Sequence, residues 1–241
     1  MESVDGVAVE DHEKIMDIWG HLKELRSHLF KALLALLITT GFSFAIAKQI
    51  IDLLAVPIGG TDRLISIEVT ENVSVFMRVS LLSGFILGLP FVLYELLAFT
   101  FPGLNPGEKR WILISIPLAT VLFIVGVAFA YLVMLPAALP FLVEFLGIRT
   151  TVRLSNYFNF VTSLLFWIGL SFEMPLVVFV LAKFKLVTAK ALASQWRIAI
   201  VVISIVAAVV SPTVDPINMG LLMLPLCILY ALSILLAALA R

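Results

Sequence analysis

From Trp111 to Val143 the chain runs 33 residues without a charged side chain. About 20 apolar residues cross the ~30 Å hydrocarbon core of a bilayer as a helix, and backbone polar groups in lipid must pair within the helix. An uncharged run of this length therefore confines the chain to a helical membrane fold. Composition agrees: 62% of the 241 residues are hydrophobic and 13% charged, about half the charged share of a soluble domain, and the mean hydropathy is +1.14. The 16 basic and 16 acidic side chains cancel, which argues against a nucleic-acid-binding surface. The one cysteine, Cys227, lies in an apolar run and can form no intrachain disulfide. The first 27 residues are polar and largely acidic, without the basic start and small-residue cleavage site of a signal peptide. Insertion is expected to rely on the spans themselves.

Six spans are expected. They cover about Leu29–Ala47, Val73–Ala98, a third from Trp111, Tyr157–Ala182, Ile198–Val210 and Met219–Ala240. Pro136 and Pro140 suggest where the third helix stops. The fifth, ended by "SPTVDP", is short for a bilayer, and the last two helices are read as a short pair. Only Lys48, Arg63, Arg78, Arg149 and Arg153 of the 16 basic residues fall on one side. Short loops rich in Lys and Arg stay in the cytoplasm, so both termini are placed there. Residues 1–27 then form a cytoplasmic segment with an interfacial helix start, and 28–241 form a single six-helix domain. The outer connections, 48–72 and 136–156, are either two solvated loops or a folded cap over a concave bundle. Large apolar groups such as Ile65, Ile67, Phe141 and Phe145 favour the cap.

Catalytic signatures are missing. No GxxxxGK[ST] or GxGxxG is present to cradle a phosphate. The histidines, His12, His21 and His28, lie in or just before the first helix, so none can serve an intramembrane serine. Their spacing also makes a poor metal set. No enzyme activity, metal or cofactor is expected.

Carboxylates carry the remaining signal. Glu24 lies in "HLKELRSHL", on a stretch with helical spacing that continues the first span into the interface, with His21 and His28 three and four residues away. Glu108 falls in the first turn of the third helix, where the helix dipole favours an acid by about 0.3–1 kcal/mol. Glu95 sits near the inner end of the second span, either reaching the interface or paired within the bundle. Arg78 marks the opposite end of that span. Asp215, between Pro212 and Pro216, reads as a turn residue. Glu173, in "SFEMP", is the hardest to place as mere structure. A charge at mid-bilayer costs ~3 kcal/mol, and Pro175 frees the carbonyl of Ser171 close by. Such groups must face the bundle interior, a cavity or a polar partner helix.

Together these motifs resemble the TatC family, the multispanning core subunit of the twin-arginine protein translocase. The matching stretches are His21-Leu22-Lys23-Glu24-Leu25-Arg26, Phe99-Thr100-Phe101-Pro102-Gly103-Leu104 with Glu108, Ser171-Phe172-Glu173-Met174-Pro175, and Ser211-Pro212-Thr213-Val214-Asp215. The resemblance covers residues 18–240. It implies a receptor in the prokaryotic plasma membrane that binds signal peptides of folded cargo and works from the proton-motive force without hydrolysis. It assigns Glu24 and Glu108 to the paired arginines, with Phe99 and Arg26 in the same surface. A guanidinium fork suits a carboxylate better than an ammonium does. Glu173 and Ser171 are assigned to single-span partner subunits of the TatA/TatB type, and self-association within the receptor complex is implied. Where this chain has Glu95 and Leu97 the family often has Gln and an aromatic, and "PINM" after Asp215 lacks the usual Ser-Gln. A proton-coupled solute transporter using Glu173 is the alternative, although no inverted repeat supports it.

Overall fold

The structure, a computed structural model, describes residues 5–99, 106–143, 151–210 and 216–240. Of residues 5–19, 21, 106, 108, 141, 142, 210 and 216–218 it describes the backbone alone. The chain is helical throughout its spans. Five segments are long and apolar enough to cross a membrane, and Trp196–Val209 is a shorter apolar helix. The first helix, α1, runs unbroken from Asp5 to Ala55, 51 residues, so the described residues ahead of the first span and the span itself form one helix. Then come α2 (Glu71–Ala98) and α3 (Pro106–Phe129).

The third span does not stop at its prolines. At Ala130–Met134 it widens into a π turn, with the Leu135 N–H reaching the Ala130 carbonyl, and resumes as α4 (Leu135–Val143). The wide turn resets the register, so Pro136 falls in the first turn of α4, where its missing N–H is not needed. The fourth span divides in two. Helix α5 (Leu154–Phe172) ends at Glu173, and α6 (Met174–Lys183) begins with Pro175 in its first turn. A short α7 (Ala189–Ser194), capped by the Thr188 hydroxyl, leads into α8 (Trp196–Val210) and α9 (Pro216–Leu239). Only α8 is short. The last helix, read from sequence as short too, reaches 24 residues, opening at Pro216, whose missing N–H is not needed at a first helical position.

Helix α5 is the centre of the core. Its Phe158, Val161, Leu164 and Ile168 are almost completely buried, against Val79 of α2, Phe123 of α3 and Leu135 of α4. Helix α1 is the least buried span and leans on α2. The two approach closely because α2 presents small residues: a Cβ at Gly84 would lie 2.5 Å from the Thr40 Cα, and one at Gly88 would lie 2.8 Å from the Thr39 hydroxyl. Gly84-Phe-Ile-Leu-Gly88 is a GxxxG pattern, which lets membrane helices pack backbone to backbone. Beside it Ser43 and Ser83 hydrogen-bond across the seam.

The described parts of the outer connections are joined into a small cap by backbone pairing and an arginine, not by the apolar groups expected to do so: Ile65 and Ile67 are exposed, and Phe145 and the Phe141 side chain lie outside the described residues. The chain leaves α1 through two glycines with positive φ, Gly59 (98°) and Gly60 (102°). Strand β1 (Leu64–Ile65) then pairs in parallel with β2 (Val152–Arg153). Arg153 fastens the pair: Nη2 donates to Glu68 Oε1 at 2.6 Å, and Nε donates to the buried Glu71. Hydrogen bonds to Glu68 first, and then to Glu71, hold its pKa above the ordinary arginine value. The Tyr131 and Tyr157 hydroxyls donate to the Leu53 and Leu54 carbonyls, each at 2.7 Å, and anchor the outer end of α1.

Candidate functional site

Two regions hold the acids singled out by the sequence. The first is the inner rim, where α1 enters, α2 ends and α3 begins. Glu24 and Arg26 are exposed on α1. One turn further along, His28 Nδ1 donates to Glu95 Oε2 at 2.6 Å, joining α1 to α2. Phe99 lies one turn beyond Glu95, its N–H donating to the Glu95 carbonyl at 3.3 Å. The His28–Glu95 clasp therefore fixes the turn bearing Glu24 against the turn bearing Phe99. Of the two readings of Glu95, the structure shows pairing within the bundle, with His28. Glu108 lies in the first turn of α3, and its side chain is outside what the structure describes. Asp215 is also outside the described residues. The sequence offered only faint signs of the clasp, since His28 drew attention as a neighbour of Glu24 on the same helix.

The second region is a cavity of about 500 Å³ between the end of α2, the start of α3, and α6. Glu173 lines it, otherwise surrounded mainly by apolar side chains such as Leu93, Leu97, Ile112 and Val177. Its Oε1 is the one buried side-chain polar atom, among the described residues, without a hydrogen-bond partner. Position follows from backbone: Glu173 is the joint of α5 and α6, its N–H donating to Leu170 and its carbonyl accepting from Leu176 and Val177. The elements that bring Phe99 and Glu108 to the rim also wall this cavity, so rim and cavity are neighbours. Ser115, in the same wall, spends its hydroxyl on the Ile112 carbonyl.

Ser171 and Glu173, two residues apart, face different spaces. Ser171 donates to the Trp167 carbonyl at 2.7 Å and borders a separate apolar cavity of about 290 Å³ with α8 and α9. Serine hydroxyls in membrane helices commonly bond one turn back in this way. At the end of α6, Lys183 donates to the Ala240 carbonyl at 3.3 Å and sits 5.0 Å from the Trp111 ring.

The family model for the Sec-independent protein translocase protein TatC matches residues 20–225. The Sec-independent protein translocase protein TatC of Deinococcus radiodurans is 34% identical over 233 residues, covering 93% of this chain and 86% of that protein. Its counterpart from Aquifex aeolicus is 36% identical over 235 residues, covering 93% and 96%. Among solved structures, the crystal structure of a twin arginine translocase receptor, TatC, superposes with a TM-score of 0.80 at 34% identity, over 91% of this chain and 99% of that one.

Proposed function

The chain belongs to the TatC family of Sec-independent protein translocase proteins, and from that premise we propose that its inner rim reads paired arginines while the Glu173 cavity receives a partner's transmembrane helix. As a family member it is the core subunit of the twin-arginine translocase, a multi-pass plasma-membrane protein and a translocase component rather than an enzyme. The match sets aside the solute transporter weighed on sequence grounds.

In this reading Glu24 and Glu108 each take one guanidinium of a signal peptide, Phe99 packs against the peptide, and Arg26 completes the surface. Residues 1–27 are the cytoplasmic segment presenting Glu24, and 28–241 the single spanning domain. The observation that carries the docking part is the unpartnered Oε1 of Glu173. A buried oxygen without a hydrogen bond costs about 1–3 kcal/mol or more, and a polar side chain on an entering helix, such as that of a single-span TatA/TatB-type subunit, would remove the cost. Exposure of Glu24 supports the other half, because a recognition acid must be free to change partners.

The experiment compares twin-arginine and twin-lysine signal peptides binding to the purified chain. Arginine should win by roughly tenfold, the worth of a bidentate charge-assisted pair over a point charge, and Glu24→Ala or Glu108→Ala should erase most of the difference. Equal affinities would sink the rim assignment. For the cavity, a crosslinker at position 177 should capture a partner helix. Capture of lipid alone would reject docking.

A further inference from the structure

Arg78, like Lys48 on α1, is a strongly basic side chain in the outer half of a span that the translocase reading leaves without a task. It sits on α2, exposed, and forms no hydrogen bond or ion pair with any described residue. Helix α2, with 28 residues, is about 42 Å long against a hydrocarbon core of ~30 Å, so its first residues stand among lipid headgroups. Arg78 follows about 10 Å below the helix start, one side-chain length inside the apolar layer. Side chains on a helix lean toward its N-terminus, here the outer side. The guanidinium thus rises to the depth of lipid phosphates.

Across from it runs α5. The two helices enclose an open groove of about 310 Å³, bordered by Arg78, Ser163, Phe85, Phe166 and Trp167 among others. Ser163 is only partly buried, and its hydroxyl has no hydrogen-bond partner among the described residues. Thr162, beside it, is already committed to the Phe158 carbonyl. Two donors without partners among the described residues, of different types and on two helices, therefore border one open, aromatic-lined groove.

We propose that this groove binds one anionic phospholipid of the outer leaflet, its phosphodiester held by the Arg78 guanidinium and the Ser163 hydroxyl and one acyl chain laid against Phe85, Phe166 and Trp167. A guanidinium fork matches two phosphate oxygens, and a charge stranded in an apolar span calls for a counter-ion. Among the described residues no acid borders the groove, so none of them answers the ammonium of a zwitterionic headgroup, and an anionic lipid fits best. The inference is independent of how the inner rim and Glu173 act.

Native mass spectrometry of the purified chain, titrated with phosphatidylglycerol and in parallel with diacylglycerol of the same chains, tests it. The wild type should hold one phosphatidylglycerol that Arg78→Gln binds about tenfold more weakly, the lower end of what a charge-assisted hydrogen bond contributes. Arg78→Lys, which keeps the charge and loses the fork, should fall between them. Ser163→Ala, a change too small to disturb folding, should also weaken binding, and diacylglycerol retention should not vary. Equal phosphatidylglycerol binding by wild type, Arg78→Gln and Ser163→Ala would overturn the site. So would a chain dimer that Arg78→Gln abolishes at constant lipid count, which would give the groove to a second copy.

Discussion

Glu173 is unfavourable for the isolated fold, and the docking proposed for it would turn that cost to use. Its orphaned oxygen faces an apolar cavity, so Glu173→Leu should leave the isolated chain equally stable or stabilise it by about 1 kcal/mol, since an unmet buried acceptor is replaced by carbon. The same variant should lose partner subunits on co-purification. Thermal unfolding in detergent reads the first effect and pull-down the second. A variant that unfolds early would mean that the carboxyl has an internal task instead. Glu95 behaves oppositely, because its partner is at home. Removing His28 strands a half-buried carboxylate, and His28→Ala should destabilise by about 1–3 kcal/mol. A double-mutant cycle with Glu95→Gln should return a coupling of about 0.5–3 kcal/mol. Coupling near zero would dissolve the clasp.

Helices α1 and α2 meet along small residues, and this contact is sensitive to a single methyl. Gly84→Val would drive carbon into the Thr40 backbone, which cannot yield as a side chain can. Overpacking of this kind costs about 1–3 kcal/mol, so unfolding should begin at clearly lower temperature, while Gly20→Val, with open space around it, should change little. Hydropathy made the spans legible, because it depends on composition along the chain alone. The resemblance supplied the motifs. What stayed hidden depends on neighbours distant in sequence: the π turn that lets Pro136 sit inside a helix, the parallel pairing of Leu64 with Val152, and the reach of His28 to Glu95. The GxxxG of α2 was present in the sequence, yet only the proximity of Thr40 gives it meaning. At Glu173 the depth was readable and the cavity was not, since its walls come from three helices.

At the scale of the molecule, the cap and the rim lie on opposite faces of one bundle. Arg153 joins the two outer connections, and the buried Glu71 depends on it. Arg153→Ala should loosen the cap without unseating the spans, so protease added from the outer side should cut residues 59–70 sooner while the inner loops keep their wild-type pattern. Unchanged cutting would show that the strand pair holds the cap unaided. Helix α8, 15 residues long, measures about 22 Å and leaves the bilayer beside it to thin by several ångströms. Helix α1 has the contrary property. It is a single rod of 51 residues, about 76 Å from tip to tip, clipped at its outer end by two tyrosine hydroxyls and carrying Glu24 on its cytoplasmic reach. Such a mast neither stretches nor folds. If the binding proposed at the rim is correct, a sideways load at the Glu24 end of this helix would be carried as tilt about the α2 seam, felt at the tyrosine-clipped end as well.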